Sequence, residues 1–261
     1  MSGRMSEPLD EAARDRRGPT FSAVVLAAGL SSRMEGRHKL LLPVGGEPAV
    51  RRVVRAIIDA APREVVVVTG FNARAVFDAL DGLPVAFQPN PRYRDGQMTS
   101  VAAGVAALRA ACDAVMVCLA DQVLLEADDY RELIDAYASM PRGSILVPMF
   151  DGRRGNPVLF AASYAPEVVN GHVNPGCRKL IAEHADEVFV YDAASDRFIV
   201  DMDTPDDYAR IVARIEGSGA ATAETGATRA TPAMAGGDNE EPPQHRPSST
   251  SVRTSRTNSA C

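Results

Sequence analysis

The feature that most constrains this chain is a set of short, almost unbroken apolar runs. Phe21–Ala27 (FSAVVLA), Glu64–Thr69 (EVVVVT) and Ala114–Leu119 (AVMVCL) carry apolar side chains at successive positions instead of alternating with polar ones. A strand that is apolar on both faces must be covered on both faces, which is the pattern of a parallel sheet enclosed by helices. The segments between the runs supply those helices. Residues 48–61 set Val50, Val53, Val54, Ile57, Ile58 and Ala61 at helical spacing, with Arg51, Arg52 and Arg55 on other faces. Residues 72–80, capped by Asn72, read as a helix, as do 98–111 and 127–139. Leu83–Gln88 and Ser144–Pro148 read as strands. After residue 150 the order loosens: Val158–Phe160, Val188–Tyr191 and Arg197–Val200 read as strands, and 175–184 and 205–216 as helices. The expected class is α/β with a mostly parallel sheet. Ligands bind such sheets at the carboxyl ends of the strands, so the residues just after each strand are where chemistry belongs.

Composition narrows the classes further. Lys and Arg number 28 against 34 Asp and Glu, a formal charge of −6, which argues against coating nucleic acid through a broad basic face. No apolar run nears the roughly 18 residues of a membrane helix. Cys112, Cys118, Cys177 and Cys261 are too scattered for a disulfide scaffold, and none forms a C-x-x-C pair, so reduced thiols in a cytoplasmic protein are expected. Residues 1–20 are polar and lack the apolar segment of a secretory signal. From Gly217 to Cys261 the chain turns to Gly, Ala, Thr, Ser and Pro, too poor in large apolar residues to offset its chain entropy. The expected organisation is a folded domain over 21–216 between disordered segments at 1–20 and 217–261.

The loop after the first strand reads Ala27-Ala28-Gly29-Leu30-Ser31-Ser32-Arg33-Met34-Glu35-Gly36-Arg37-His38-Lys39. Small residues let the backbone approach a ligand, and its N–H groups can cradle phosphate oxygens. Arg33, Arg37 and Lys39 concentrate positive charge on an acidic chain that has only two lysines, Lys39 and Lys179. A triphosphate fits these features; a flexible solvated loop is the plainer alternative. Neither G-x-x-x-x-G-K-[ST] nor G-x-G-x-x-G is present. Asp121 ends the fourth strand, where a carboxylate can hold Mg²⁺ or simply close a loop. Thr99 and Ser100 can cap the following helix. Asp201 and Asp203 flank Met202 and share a face in an extended chain, so spacing alone does not choose between them. Thr204, Pro205, Asp206 and Asp207 make a helix start. His38, His172, His184 and His245 lack ligand spacing and read as surface or helix-end residues.

The run LAAGLSSRMEGRHKLLLPVGGEPAV resembles the signature of the MobA-like nucleotidyltransferase family, L-A-[AG]-G-x-S-x-R-M-G-x-x-K-x-L-L. The likeness extends over 21–216. It implies a Rossmann-like, three-layer nucleotidyltransferase fold. It also implies that Gly29, Arg33 and Lys39 contact the nucleotide phosphates, with Ala27 and Ala28 beside them and Arg33, Lys39 and Asp121 as the catalytic set. Glu35 departs from the pattern, standing where the family has Gly. Asn90-Pro91-Arg92-Tyr93-Arg94-Asp95-Gly96-Gln97-Met98-Thr99-Ser100 resembles the family stretch lying against base and ribose, making Asn90 and Ser100 candidate contacts. Leu119-Ala120-Asp121-Gln122-Val123 resembles G-D-[QM]-P, with Ala120 and Val123 as departures. Asp201-Met202-Asp203-Thr204-Pro205 resembles D-[IV]-D-T-P, and Asp203 is preferred as the second metal ligand with Asp121. Gly155, Asn156 and Pro157, within a G-x-x-G-[NH]-P-[VI]-L segment, and Arg178 fall on the acceptor side. Arg153 and Arg154 either meet an acceptor phosphate or are solvated. Cys177 reads as a buried thiol.

The A-A-G form resembles the cytidylyltransferase branch of the family. It implies transfer of CMP from CTP to the phosphate of molybdenum cofactor, with Mg²⁺, release of pyrophosphate and a client molybdenum hydroxylase. Two alternatives stand beside it: a guanylyl- or other nucleotidyltransferase acting on a sugar phosphate or another cofactor precursor, and a non-catalytic chaperone delivering molybdenum cofactor.

Overall fold

The structure is a computed structural model and describes residues 18–141, 143–170 and 177–226. His172, His245, Cys261, Asn174–Gly176 and the segments 1–17 and 227–261 lie outside the described residues. The chain runs through β1 (Phe21–Ala27), β2 (Pro43–Val44), β3 (Glu47–Pro48), α1 (Ala49–Asp59), β4 (Val65–Thr69), α2 (Ala73–Ala79), β5 (Ala86–Pro89), α3 (Gln97–Ala107) and β6 (Ala114–Leu119). It continues through α4 (Ala127–Ala138), β7 (Ile145–Phe150), β8 (Arg153–Arg154), β9 (Val158–Ala161), α5 (Ala165–Asn170), α6 (Arg178–Glu183), β10 (Val188–Asp192) and α7 (Pro205–Gly226).

Across the main sheet the order is β10-β7-β9-β6-β1-β4-β5, with β8 paired to β7. β1 lies between β4 and β6, parallel to both, and β5 runs parallel to β4. β9 is antiparallel to both of its neighbours, β6 and β7. The sheet is therefore mostly parallel and flanked by helices, a Rossmann-like α/β fold. Ala23, Val25, Val67, Met116, Cys118, Leu146 and Leu159 face one core, which also takes Val53 and Ile57 of α1 and Leu133 of α4. Val24, Val68, Val115, Val117, Ile145, Val147 and Val158 face the other, against Val101 of α3, Val168 of α5 and Leu180 of α6. Both faces are buried, which is why the strand sequences do not alternate.

Two expectations fail locally. Arg197–Val200 is not a strand: a 3-10 turn covers Asp196–Ile199, opened by the Ser195 hydroxyl accepting from the Arg197 N–H and anchored by buried Phe198. The helix expected over 205–216 is longer, running as α7 through Gly226. Among the described residues no helix is long and apolar enough to cross a membrane.

Candidate active site

The loop after β1 is shaped before any ligand enters. Met34 is fully buried and anchors it, and turns run from Ser31 to Met34 and from Met34 to Arg37 through backbone hydrogen bonds of 3.1 and 3.0 Å. Glu35 and Gly36 both have left-handed backbones, φ 51° and 81°. Gly36 takes this backbone without cost, whereas Glu35, a non-glycine residue in the left-handed region, carries strain. The Lys39 N–H donates to the Ser31 hydroxyl at 3.2 Å, which brings Lys39 back beneath the loop.

Lys39 is the centre of the site. Its ammonium touches Asp121 Oδ2 and lies 2.8 Å from Asp203 Oδ1, with 12% of its side chain exposed. Burial works against its charge, but Asp121 and then Asp203 more than offset that, and its pKa is raised above the ordinary lysine value. Arg33, two-thirds exposed, reaches Asp203 Oδ2 at 2.7 Å. The two acids meet because the Met202 N–H donates to the Asp121 carbonyl at 3.1 Å, laying the Asp201–Asp203 segment against the end of β6, with Met202 buried. Asp203 stays in place through the start of α7, where the Asp207 carboxylate accepts from the Thr204 N–H at 2.8 Å and the Asp207 N–H donates to the Thr204 hydroxyl at 3.2 Å. Asp201 lies deeper. Its pKa is pushed up to about 6, first by burial and then by the Asp121 and Asp203 carboxylates.

These residues fit a divalent ion. Asp121 and Asp203 already face one shared cation, the Lys39 ammonium, and Asp121 Oδ1 is buried without a hydrogen-bond partner. The donors are hard oxygens, which suits Mg²⁺ or Mn²⁺. Among the described residues no group of three or more His, Cys, Asp and Glu is arranged for a metal. Two carboxylates with phosphate oxygens make up the set that Mg²⁺ ordinarily takes.

Beside this cluster is a pocket of about 270 Å³, lined among others by Leu26, Ala28, Gly29, Tyr93, Ser100 and Leu119. Ala27 is buried at the end of β1 beneath it. Tyr93 is packed so closely that a side chain at Gly70 would meet its ring at 2.7 Å and Ala28 at 2.9 Å. Neither Thr99 nor Ser100 caps α3, whose first turn begins at Gly96 without a side-chain cap. The buried Asn90 amide instead donates to both hydroxyls, at 2.9 Å each, while its oxygen accepts from the Arg92 N–H at 3.0 Å. Ser100 thus lines the pocket, and Asn90 holds Ser100 in place.

On the other side, Gly155 permits a close approach: a Cβ there would lie 2.4 Å from the Phe198 carbonyl oxygen. That oxygen accepts from the Asn156 N–H and from Gln122 Nε2, both at 2.9 Å. The Asn156–Pro157 bond is cis. Arg178 opens α6 and, among the described residues, no hydrogen bond or ion pair joins its side chain to the carboxylates. Cys177 is buried and its thiol pKa is pushed up to about 12, which makes it a poor nucleophile.

Three residues near the site were not legible beforehand. His38 is not a plain surface residue: it is half-buried, stacks on Phe71 with ring centroids 5.5 Å apart, and its pKa is lowered by burial. Gln122 is buried between Asp121 and the Phe198 carbonyl. Tyr93 lines the pocket. Each is placed by a partner distant in sequence, and spacing carries no signal for that.

Residues 23–188 match the MobA-like NTP transferase domain. The chain is 28% identical over 207 residues to nicotine blue oxidoreductase of Paenarthrobacter nicotinovorans, covering 74% of this chain and 97% of that protein. It is 31% identical over 129 residues to the bifunctional protein GlmU of Solibacter usitatus, a match spanning 49% of this chain and only 28% of GlmU. A nucleotidyl transferase from Methanothermobacter thermautotroptrophicus superposes with a TM-score of 0.67 at 24% identity, over 76% of this chain and 99% of that one. Rv0371c from Mycobacterium tuberculosis, solved in complex with manganese, superposes with a TM-score of 0.59 at 24% identity, over 74% and 98%.

Proposed function

The chain belongs to the MobA-like NTP transferase family and is a nucleotidyltransferase, and from that premise we propose that its donor is CTP and its acceptor the phosphate of molybdenum cofactor. The products are then molybdopterin cytosine dinucleotide and pyrophosphate. The observation that carries this reading is the Lys39 ammonium held between Asp121 and Asp203 beside the Ala28–Gly29 loop. Cation and carboxylates sit at the carboxyl end of β1 and β6, where a triphosphate and its counter-ion belong. The Ala27-Ala28-Gly29 form of the loop supports CTP.

In this reaction an acceptor phosphate oxygen bonds to the α-phosphorus as its bond to pyrophosphate breaks. A phosphate monoester is anionic near neutrality, so no strong base is required, and no histidine among the described residues hydrogen-bonds to the carboxylates. The work of the protein is positioning and charge neutralisation. Lys39 and Arg33 exchange their carboxylate partners for triphosphate oxygens and stabilise the charge that gathers on pyrophosphate. The exchange costs Arg33 little, since an exposed ion pair such as its contact with Asp203 is worth about 0–1 kcal/mol. Ser100 and the backbone at Ala28 and Gly29 shape the nucleotide seat, and Gly155, Asn156 and Pro157 shape the acceptor side. Asp121 and Asp203 would hold Mg²⁺, which would supply positive charge at the reacting phosphate. The site of action is the cytoplasm, with a molybdenum hydroxylase as client.

Pyrophosphate release with each of the four NTPs, with and without molybdenum cofactor, tests the reading. Release from CTP that requires the cofactor is the expected result. Release from another NTP, or from CTP only with a different acceptor, overturns it. The match along 97% of an oxidoreductase favours a second reading, a redox enzyme seating a dinucleotide pyrophosphate in the same loop. Such an enzyme yields no pyrophosphate from any NTP.

A further inference from the structure

We propose that Arg154, and not its neighbour Arg153, anchors the anionic group of the acceptor and so sets acceptor specificity. The inference rests on the reading above that the acceptor carries a phosphate.

The direction of approach follows from packing. On the β4 side the pocket is walled by Tyr93, wedged against Gly70 and Ala28 with no space between them. An acceptor reaching Asp121 therefore crosses the opposite side, over the start of β9 and the end of β7. There β7 turns back into β8 through Asp151 and Gly152, whose φ values of 49° and 72° make a tight hairpin. Phe150 pairs with Arg153, and Met149 with Arg154.

Register then separates the two arginines. Residues paired across strands point to the same face, and successive residues point to opposite faces. Ile145 and Val147 of β7 face the core shared with α3. Met149 continues that alternation, so Arg154 lies on the α3 face. Leu26 packs on that same face in β1, Leu119 of β6 is paired with it and follows the alternation of Val115 and Val117, and both line the pocket. Arg153 lies with Phe150 on the reverse face. Both arginines are exposed, and among the described residues neither guanidinium is in an ion pair or hydrogen bond.

The hairpin is also tied to the reacting centre. Gly155 packs on the Phe198 carbonyl, and the same oxygen accepts from Asn156 N–H and from Gln122, the residue after Asp121. β10 takes one edge of β7 at Met149, so β8 pairs with the other edge, in line with β9, and one strand spacing of about 4.8 Å separates that row from β6, which ends two residues before Asp121. A guanidinium on its long stem spans much of that gap, and its planar donors match a phosphate bidentately.

The test compares wild type, Arg153→Ala, Arg154→Ala and Arg154→Lys in steady-state pyrophosphate release, using CTP and molybdenum cofactor or the donor and acceptor that the NTP panel identifies. Arg154→Ala is expected to raise the acceptor KM roughly tenfold or more, with the KM for the NTP within about twofold of wild type. Arg154→Lys should recover part of the loss, and Arg153→Ala should match wild type. A general loss of folding would lower the apparent kcat and the melting temperature without raising the acceptor KM selectively, and would not be mended by lysine. Equal acceptor KM values in Arg153→Ala and Arg154→Ala, with pyrophosphate still released, overturn this inference alone. No pyrophosphate from any NTP in wild type overturns the reading of function and this inference with it.

Discussion

At the scale of single residues, the site balances one ammonium against three acids. Asp121→Ala removes one carboxylate from Lys39 and the buried oxygen that has no other partner. Turnover is expected to fall by roughly 100-fold or more while the circular dichroism spectrum is unchanged. An active, Mg²⁺-dependent Asp121→Ala enzyme would remove the assignment. His38 makes a separate prediction about pH. Burial lowers its pKa below 6.5, with the Phe71 carbonyl opposing that shift. The unfolded ring therefore binds a proton before the folded one as pH falls, so stability is intact above about 6.5 and declines as pH drops through that value. The decline ends below the folded pKa, where both states are protonated. Melting temperatures measured from about pH 7.5 to 5 should fall less steeply in His38→Phe, which keeps a ring on Phe71 and has no proton to gain.

At the scale of elements, the tightest constraint lies where the β7–β8 hairpin returns to the sheet. Gly155→Ala forces a methyl group against the backbone carbonyl of Phe198, and backbone yields less readily than a side chain. The expected cost is about 1–3 kcal/mol, and the acceptor KM should rise more than that for the NTP. Thermal unfolding and paired KM measurements check both parts. This hairpin also marks the limit of what sequence conveys. β1, β4 and β6 are legible because each is buried on both faces, and the unbroken apolar runs report that directly. The antiparallel insertion of β9 between β6 and β7 is not legible, since a strand's own residues do not state its neighbours. Arg197–Val200 misleads because Phe198 is buried, as a strand residue would be, while Ser195 bends the chain into a turn. Lys39, Asp121 and Asp203 stand out by residue type at strand and helix ends. That a Met202–Asp121 backbone hydrogen bond brings them together is a fact of tertiary structure alone.

At the scale of the whole molecule, a chain of net charge −6 must bind a polyanion. Arg33, Arg37 and Lys39 provide the local attraction, but Lys39 and Arg33 are already neutralised by Asp121 and Asp203. Drawing both cations onto a triphosphate leaves the two carboxylates facing each other with nothing between them. Nucleotide alone is therefore opposed by the charges it uncovers, and nucleotide with a divalent ion is not. The coupling is reciprocal, so each should raise the affinity of the other. A ligand at 100 times its dissociation constant adds about 2.7 kcal/mol of stability. For a domain of this size that raises the melting temperature by roughly 5–10 °C. Calorimetric scans should show a shift with CTP and Mg²⁺ larger than the sum of the shifts with either alone, and smaller at high salt because the guest is charged. In Asp203→Asn, which keeps the shape of the side chain and gives up its charge, the excess over additivity should shrink. Additive shifts in the wild-type protein would mean that Lys39 does not leave its carboxylates when nucleotide binds.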